Sequence, residues 1–371
     1  MPQDSQEVNV PQNRALLVSL SKEENAAREL RGLAETLELE ILGHEIVRVR
    51  DRQPKFGMGS GKAQEIADKA VQLEADLLVL DWEPSPSQQR NWEDLAGLPA
   101  LDRQELIIKI FAARAATREA ELQVQLAELH YRLPRLAHKY IDLSRQRGGR
   151  YGTRGAGETR LETDRRAVEQ RIHKLEKQIE TVAKQRQVQR RQRERQDLPV
   201  CAIVGYTNAG KSSLLNALTG SDVLVEDKLF ATLDAATRRF EPAPGMTTLL
   251  TDTVGFIRRL PHSLIKAFRS TLEEAAHANL LIHVLDASDS NIENCYQTTI
   301  SVLSDLGAGE IPLVTVLNKT DKLEDTAQVE ALLARFPESV AVSARNGNGL
   351  DELKNHIVQK IKMNGYHGRN R

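Results

Sequence analysis

Residues 200–212 constrain this chain more than any other stretch. Positions 200–204 (Val-Cys-Ala-Ile-Val) are short, apolar and partly β-branched, which reads as a buried parallel strand. Residues 211–218 follow as a helix with Leu214, Leu215 and Leu218 on one face. Between them, Gly205-x4-Gly210-Lys211-Ser212 is a strand–loop–helix cradle for phosphate. Glycines let backbone N–H groups crowd around phosphate oxygens, and the helix N-terminus adds positive potential. Lys211 supplies a point charge for β- and γ-phosphates, and Ser212 a hydroxyl for Mg2+. A chain with this cradle is expected to be α/β, with a doubly wound parallel sheet behind the loop.

Three further stretches select the nucleotide. Residues 249–252 read as a strand that delivers Asp252 beside the phosphates, followed by Thr253, Val254 and the flexible Gly255. Asp252 is expected to hold Mg2+ through water, and the Gly255 N–H to meet the γ-phosphate. Another strand, 311–317, ends in Asn318-Lys319-Thr320-Asp321. A carboxylate there accepts both guanine N1–H and the exocyclic amine, a donor pair that adenine lacks. Ser343, Ala344 and Arg345 follow a strand at 340–342 and put backbone N–H groups near guanine O6. In order and placement the four motifs resemble those of small GTPases, which implies GTP as substrate and GDP as product.

The switch segment is expected at Phe230, Ala231, Thr232, Leu233 and Asp234, between the loop helix and the Asp252 strand. Thr232 is the expected second hydroxyl on Mg2+, with Thr237 as its local rival. The nucleotide set then comprises Gly205, Tyr206, Thr207, Asn208, Ala209, Gly210, Lys211, Ser212 and Ser213, the switch residues, residues 252–255, 318–321 and 343–345. Lys211, Thr232 and Gly255 are the expected catalytic groups. In Ras-like GTPases a glutamine follows the switch glycine and orients the attacking water. Here the position is Phe256, which can make no such hydrogen bond, so slow intrinsic hydrolysis is expected. Arg238, Arg239, Arg258 and Arg259 are near enough in sequence to supply a cis arginine. His283, inside the apolar strand 280–286, reads as a packed residue.

Ahead of this domain the chain alternates strand and helix: strands at 13–20, 44–49 and 77–80, helices at 23–37 and 63–73. That order predicts a small parallel sheet covered by helices. Gly57-Met-Gly-Ser-Gly61-Lys62 resembles a phosphate loop, but Ala63 stands where Ser or Thr is needed and the glycines are one residue too close. It reads as a turn feeding a helix. Pro84, Pro86 and Pro99 mark an exposed connection. A long helix is expected from Leu101, with Leu122, Leu126, Leu129, Leu133 and Leu136 as a seam and Pro134 as its kink or end. A second helix is expected from the capping pattern Thr159-x-x-Glu162, with Val168, Ile172, Leu175, Ile179 and Val182 as its seam. Together they predict an antiparallel hairpin. The expected divisions are 1–100, an N-terminal α/β subdomain; 101–197, the hairpin; 198–361, the GTPase domain; and 362–371, a flexible tail.

The net charge of −1 hides a polarity, because residues 145–197 carry 16 Lys/Arg against 8 Asp/Glu. Arg145, Arg147, Arg150, Arg154 and Arg160 surround the glycine-rich hairpin tip, where guanidinium groups suit RNA phosphates and bases. The two cysteines, Cys201 and Cys295, exclude a disulfide framework and fit a cytoplasmic setting. No run of 18 apolar residues predicts stable membrane insertion. A monomer is expected.

These residues together resemble a family. Gly152-Thr-Arg-Gly-Ala-Gly-Glu-Thr159, Leu161-Glu-Thr-Asp-Arg-Arg166, the stretch from Glu121 to Arg135 and the Phe230–Asp234 switch are similar to those of HflX-type ribosome-associated GTPases. Ala235 stands where that family often has proline. The resemblance implies binding to the large ribosomal subunit near its peptidyl-transferase region, through the N-terminal domain and hairpin. It also implies splitting of stalled or idle ribosomes, with hydrolysis stimulated by the ribosome. Two alternatives are a large-subunit assembly GTPase and a signalling GTPase whose hairpin recruits protein.

Overall fold

The computed structural model describes residues 13–20, 24–146, 154–194, 198–223, 226, 228–233, 236–257 and 274–363, with the backbone alone at 24–25, 137–146, 154–161, 187 and 189–194. By compactness the chain forms two units, residues 1–110 with 132–163, and residues 111–131 with 164–371.

In the first unit, β1 (Arg14–Ser19), β2 (Glu40–Ile46), β3 (Leu77–Leu80) and β4 (Ala100–Asp102) form one parallel sheet in the order β2-β1-β3-β4. Helices α1 (Glu24–Thr36), α2 (Ser60–Gln72) and α3 (Pro86–Ala96) connect them. The core gathers Leu16, Val18, Ile66, Leu78, Leu80 and Trp92. Gly57 adopts φ +77 ahead of α2, so the glycine-rich run is a turn into a helix. At the carboxyl ends of the strands lies a buried ion cluster. Arg103 meets Glu29 at 2.6 Å and Asp81 at 3.0 Å, and Ser19 Oγ donates to Asp81 at 3.2 Å. Burial raises the Asp81 carboxyl above its ordinary range, and the Arg103 charge opposes that rise.

Several expectations are corrected. The proline-marked connection contains α3: Ser85 Oγ accepts from Gln88 N, the Gln88 side chain accepts from Ser85 N, and Pro86 occupies the first turn. A proline there starts a helix rather than breaking one. The long helix from Leu101 is instead β4 followed by α4 (Arg103–Arg114) and α5 (Arg118–Gln146). Pro134 lies inside α5. Both Pro134 and His130 are exposed, where water can serve the carbonyl that the proline ring leaves unpaired. Helix α6 (Arg154–Glu194) begins five residues before Thr159, so the capping pattern is interior. Within the second unit the arms of α5 and α6 run antiparallel, with Arg171 reaching Gln125 and Arg186 pairing with Glu119 at 2.8 Å. Leu122, Leu126, Ile172 and Leu175 are buried.

The rest of the second unit is a six-stranded sheet, β10-β9-β8-β5-β7-β6, made of β5 (Val200–Gly205), β6 (Ala236–Ala243), β7 (Met246–Asp252), β8 (Leu280–Asp286), β9 (Leu313–Asn318) and β10 (Ser339–Ala341). All neighbours are parallel except β6 with β7. Strand β6 carries no strong alternation, so the sequence alone does not mark it as a strand. Among the described residues its helices are α7 (Lys211–Thr219), α8 (Ile292–Asp305), α9 (Thr326–Arg335) and α10 (Leu350–Met363). Because β7 and β8 flank β5 on opposite sides, the chain reverses direction there, and the crevice at the carboxyl ends of the strands is the place for a ligand. Among the described residues no helix is long and apolar enough to cross a membrane.

His283 sits in β8, fully buried and stacked on Tyr296 at 5.2 Å, with neither ring nitrogen hydrogen-bonded. Burial, aided by the Lys211 charge, pushes its pKa down to about 3. The unfolded imidazole titrates near 6.5, so stability is complete above that pH and is lost as pH falls toward 3. At two pH units below 6.5 the loss is about 2–3 kcal/mol. His283→Leu should therefore flatten the fall in melting temperature between pH 7.5 and 4.5; equal falls in both proteins would refute this.

Candidate functional site

The phosphate loop is shaped by two close approaches. Gly205 has φ +146, and a β-carbon there would meet the Val284 carbonyl at 2.3 Å. Gly210 has φ +89, and its β-carbon would meet the Asn318 amide at 2.3 Å. Asn208 also takes a left-handed conformation, with φ 60. The loop is zipped to the segment after β7: Phe256 N donates to Gly205 O at 3.0 Å, and Thr207 N to Phe256 O at 2.7 Å.

At the loop's end Lys211 is buried, with Nζ donating to the Tyr206 carbonyl at 2.8 Å. Burial pushes its pKa down to about 8; Asp252 opposes the drop and Lys319 adds to it. An arriving triphosphate would restore the full charge. Ser212 Oγ donates to Asp252 Oδ2 at 2.5 Å and lies 2.7 Å from Thr232 Oγ1. Burial raises the Asp252 carboxyl, opposed by Lys211, Ser212 and Thr232. Its other oxygen, Oδ1, is enclosed without a hydrogen-bond partner. Two hydroxyls and a half-satisfied carboxylate are the hard oxygen donors that Mg2+ takes directly or through water. Thr237, the rival to Thr232, instead pairs with Thr251 across β6 and β7 at 3.0 Å.

On the opposite side, Asn318 donates to the Ala209 carbonyl at 2.9 Å and accepts from Ala344 N at 3.1 Å, tying the phosphate loop to both base-side segments. Lys319 reaches the Asn208 carbonyl at 2.6 Å and pairs with Asp286 at 2.8 Å. Asp321 accepts from Ser343 Oγ at 2.6 Å, which orients its carboxylate.

These groups surround a cavity of about 330 Å3. Thr207, Asn208, Gly210, Lys211, Ser212, Ser213, Phe230, Ala231, Thr232, Thr253, Gly255, Asn318, Lys319, Asp321, Ala344 and Arg345 line it. Gly205, Tyr206, Ala209, Leu233, Asp252, Val254, Thr320 and Ser343 are not among its lining residues. Asp234 lies outside the described residues. Sequence reasoning missed Glu226, Lys228 and Lys322 on the wall and Asp286 behind it. Only Asp286 carried a signal, as the acid ending an apolar strand.

The Phe256 ring turns away into the core against Val204, Leu281 and Leu303, and is 1% exposed. Arg238 and Arg239 are exposed on β6 and do not line the cavity; Arg258 and Arg259 lie outside the described residues. Arg147 and Arg150 also lie outside them, as do the side chains of Arg145, Arg154 and Arg160.

The switch segment has a second set of contacts within its unit. Phe230, at φ 55 and 2% exposed, stacks edge-on against Phe111 of α4 with ring centroids 4.7 Å apart. Arg114 pairs with Glu226.

Residues 24–112 match a family described as GTP-binding GTPase N-terminal, 114–193 one described as GTP-binding GTPase middle region, and 200–319 one described as 50S ribosome-binding GTPase. The chain is 46% identical over 367 residues to GTPase HflX of Akkermansia muciniphila, covering 94% of this chain and 84% of that protein. It is 43% identical over 309 residues to GTPase HflX of Escherichia coli K12, covering 83% and 72%. A solved structure described as a complex of SsGBP and GDP is similar with a TM-score of 0.51 at 26% identity, covering 95% of this chain and 99% of that one.

Proposed function

The chain belongs to the HflX family of GTPases, and from that premise we propose that it is a Mg2+-dependent GTPase that binds the large ribosomal subunit and separates stalled or idle ribosomes into subunits. Hydrolysis of GTP to GDP and phosphate is the family's activity. The further steps are our reading, and membership carries it.

In this reading Ser212 and Thr232 hold the ion directly and Asp252 holds it through water. The enclosed, unpartnered Asp252 Oδ1 favours that assignment. When bound, the ion neutralises charge that develops on the phosphates. Lys211 and the Gly255 N–H receive the γ-phosphate. Asn318 and Asp321 read guanine, and the backbone of residues 343–345 meets its O6. The N-terminal unit and the hairpin, with Arg145, Arg147, Arg150, Arg154 and Arg160, contact ribosomal RNA near the peptidyl-transferase region, in the cytoplasm. Phe256, packed into the core, leaves water activation to other groups and supports stimulation by the ribosome. A role in large-subunit assembly is the second reading, because a 50S-binding description suits it equally.

Sedimentation of intact ribosomes with the protein and GTP, GDP or a non-hydrolysable GTP analogue tests this. A shift to free subunits with GTP or the analogue, but not GDP, is expected. GTP-dependent co-migration with large subunits and no splitting would favour assembly, and no association would overturn both.

A further inference from the structure

Thr207 is a wall residue of the nucleotide cavity whose hydroxyl has nothing to do in the empty protein. The residue is 6% exposed, and Oγ1 is enclosed without a hydrogen-bond partner. A buried hydroxyl left unpaired costs about 1–3 kcal/mol, so a loop that keeps one is built to have it completed. Ser212 and Thr232, the hydroxyls on the ion side, are already bonded to each other, and Ser212 to Asp252.

The place of Thr207 says what completes it. In the GTPase reading Gly255 marks the γ-phosphate end of the cavity, and a β-carbon there would lie 2.8 Å from Thr207 Cα, from the Thr207 methyl Cγ2 and from Lys211 Nζ, so Thr207 and Lys211 both pack against Gly255. The backbone of Thr207 is held there by its N–H bond to the Phe256 carbonyl. That same strand pairing accompanies a Phe256 ring buried in the core, so the side chain that orients water in Ras-like enzymes has no counterpart from position 256.

We propose that the Thr207 hydroxyl supplies that function: it accepts a hydrogen bond from the attacking water and donates its own to a γ-phosphate oxygen. The water oxygen forms a bond to the γ-phosphorus as the bond to the β–γ bridging oxygen breaks. GDP leaves with that electron pair, and the water protons pass to inorganic phosphate and solvent. Thr207 gains and loses no proton overall. The assignment rests on the GTPase reading of the cavity and adds to it a group that acts on the reaction rather than on nucleotide affinity.

Single-turnover GTP hydrolysis by the full chain in Mg2+ tests it, alongside GTP and GDP affinities and melting temperatures. Thr207→Val, which keeps the shape and removes the hydroxyl, should hydrolyse roughly 10- to 100-fold more slowly with both affinities within about threefold of the starting protein. Thr207→Ser should recover the rate to within about threefold. Tight binding of GDP with aluminium fluoride should be lost by the Val variant and kept by the Ser variant. An undiminished rate in Thr207→Val overturns the proposal, as does a parallel loss of GTP and GDP affinity or a Ser variant as slow as Val. If Val alone melts early, the Ser variant and Thr207→Ala decide by the same criteria. Failure of the unsubstituted protein to bind GTP would overturn the reading of the cavity itself, and is seen before any variant is compared.

Discussion

Ser212→Ala should slow GTP hydrolysis on the order of 10³-fold while moving the melting temperature by only a few degrees. The Ser212 hydroxyl touches both Asp252 and Thr232, so in the proposed ion site its loss removes one ligand and the hydroxyl that links the other two. Asp252 is fully buried, and burial already holds its carboxyl above the usual range. With Ser212 gone the carboxylate loses a hydrogen bond worth about 1.5–3 kcal/mol, so the fold survives while the proposed ion site does not. GDP affinity should change far less than the hydrolysis rate, because Lys211 and the loop N–H groups remain. Single-turnover hydrolysis across a Mg2+ titration checks this. A variant that hydrolyses within tenfold of the original at millimolar Mg2+ would remove Ser212 from the ion site.

Gly210→Ala acts through the opposite wall, and there GDP and GTP affinity should fall together by at least about 100-fold, or ~2.7 kcal/mol. An alanine at φ +89 is strained, at roughly 1–2 kcal/mol. The larger effect is steric: the new methyl would sit 2.3 Å from the Asn318 amide. Asn318 cannot yield without breaking its bonds to the Ala209 carbonyl and the Ala344 N–H, which join the phosphate loop to the segments at 318–321 and 343–345. Titration of a fluorescent guanine nucleotide measures the loss. Affinity within threefold of the original would mean that Asn318 has a second position compatible with binding.

The residues of the site were legible where backbone geometry demands a residue type. Gly205 and Gly210 must lack a β-carbon, Lys211 and Ser212 must follow at once, and Asn318 and Asp321 must stand at the end of a strand. Placement and family pattern both favour Thr232 over Thr237, and Thr232 approaches Ser212 while Thr237 is taken up by Thr251. Helix α3 was hidden because its proline reads as punctuation until Ser85 and Gln88 are seen to cap each other. Helix α5 runs through Pro134 because position 134 is exposed, and exposure is a property of packing rather than of local sequence.

By itself the sequence determined the motifs on which the proposed chemistry rests: the Gly205–Ser212 loop, Asn318 and Asp321 at the end of a strand, a carboxylate and two hydroxyls, and Phe256 in place of a glutamine. All of these depend on residue type at short spacing, and short spacing survives in a linear chain. Only the tertiary structure decided where Phe256 turns, which hydroxyl of the cavity is spare, that Asp286 holds Lys319, and that Phe111 of α4 covers Phe230 of the switch. Those pairings join residues 33 to 119 positions apart, or depend on which face of a strand is buried. They are settled when sheets and helices close on one another, because contact energies are realised only between groups that packing brings together.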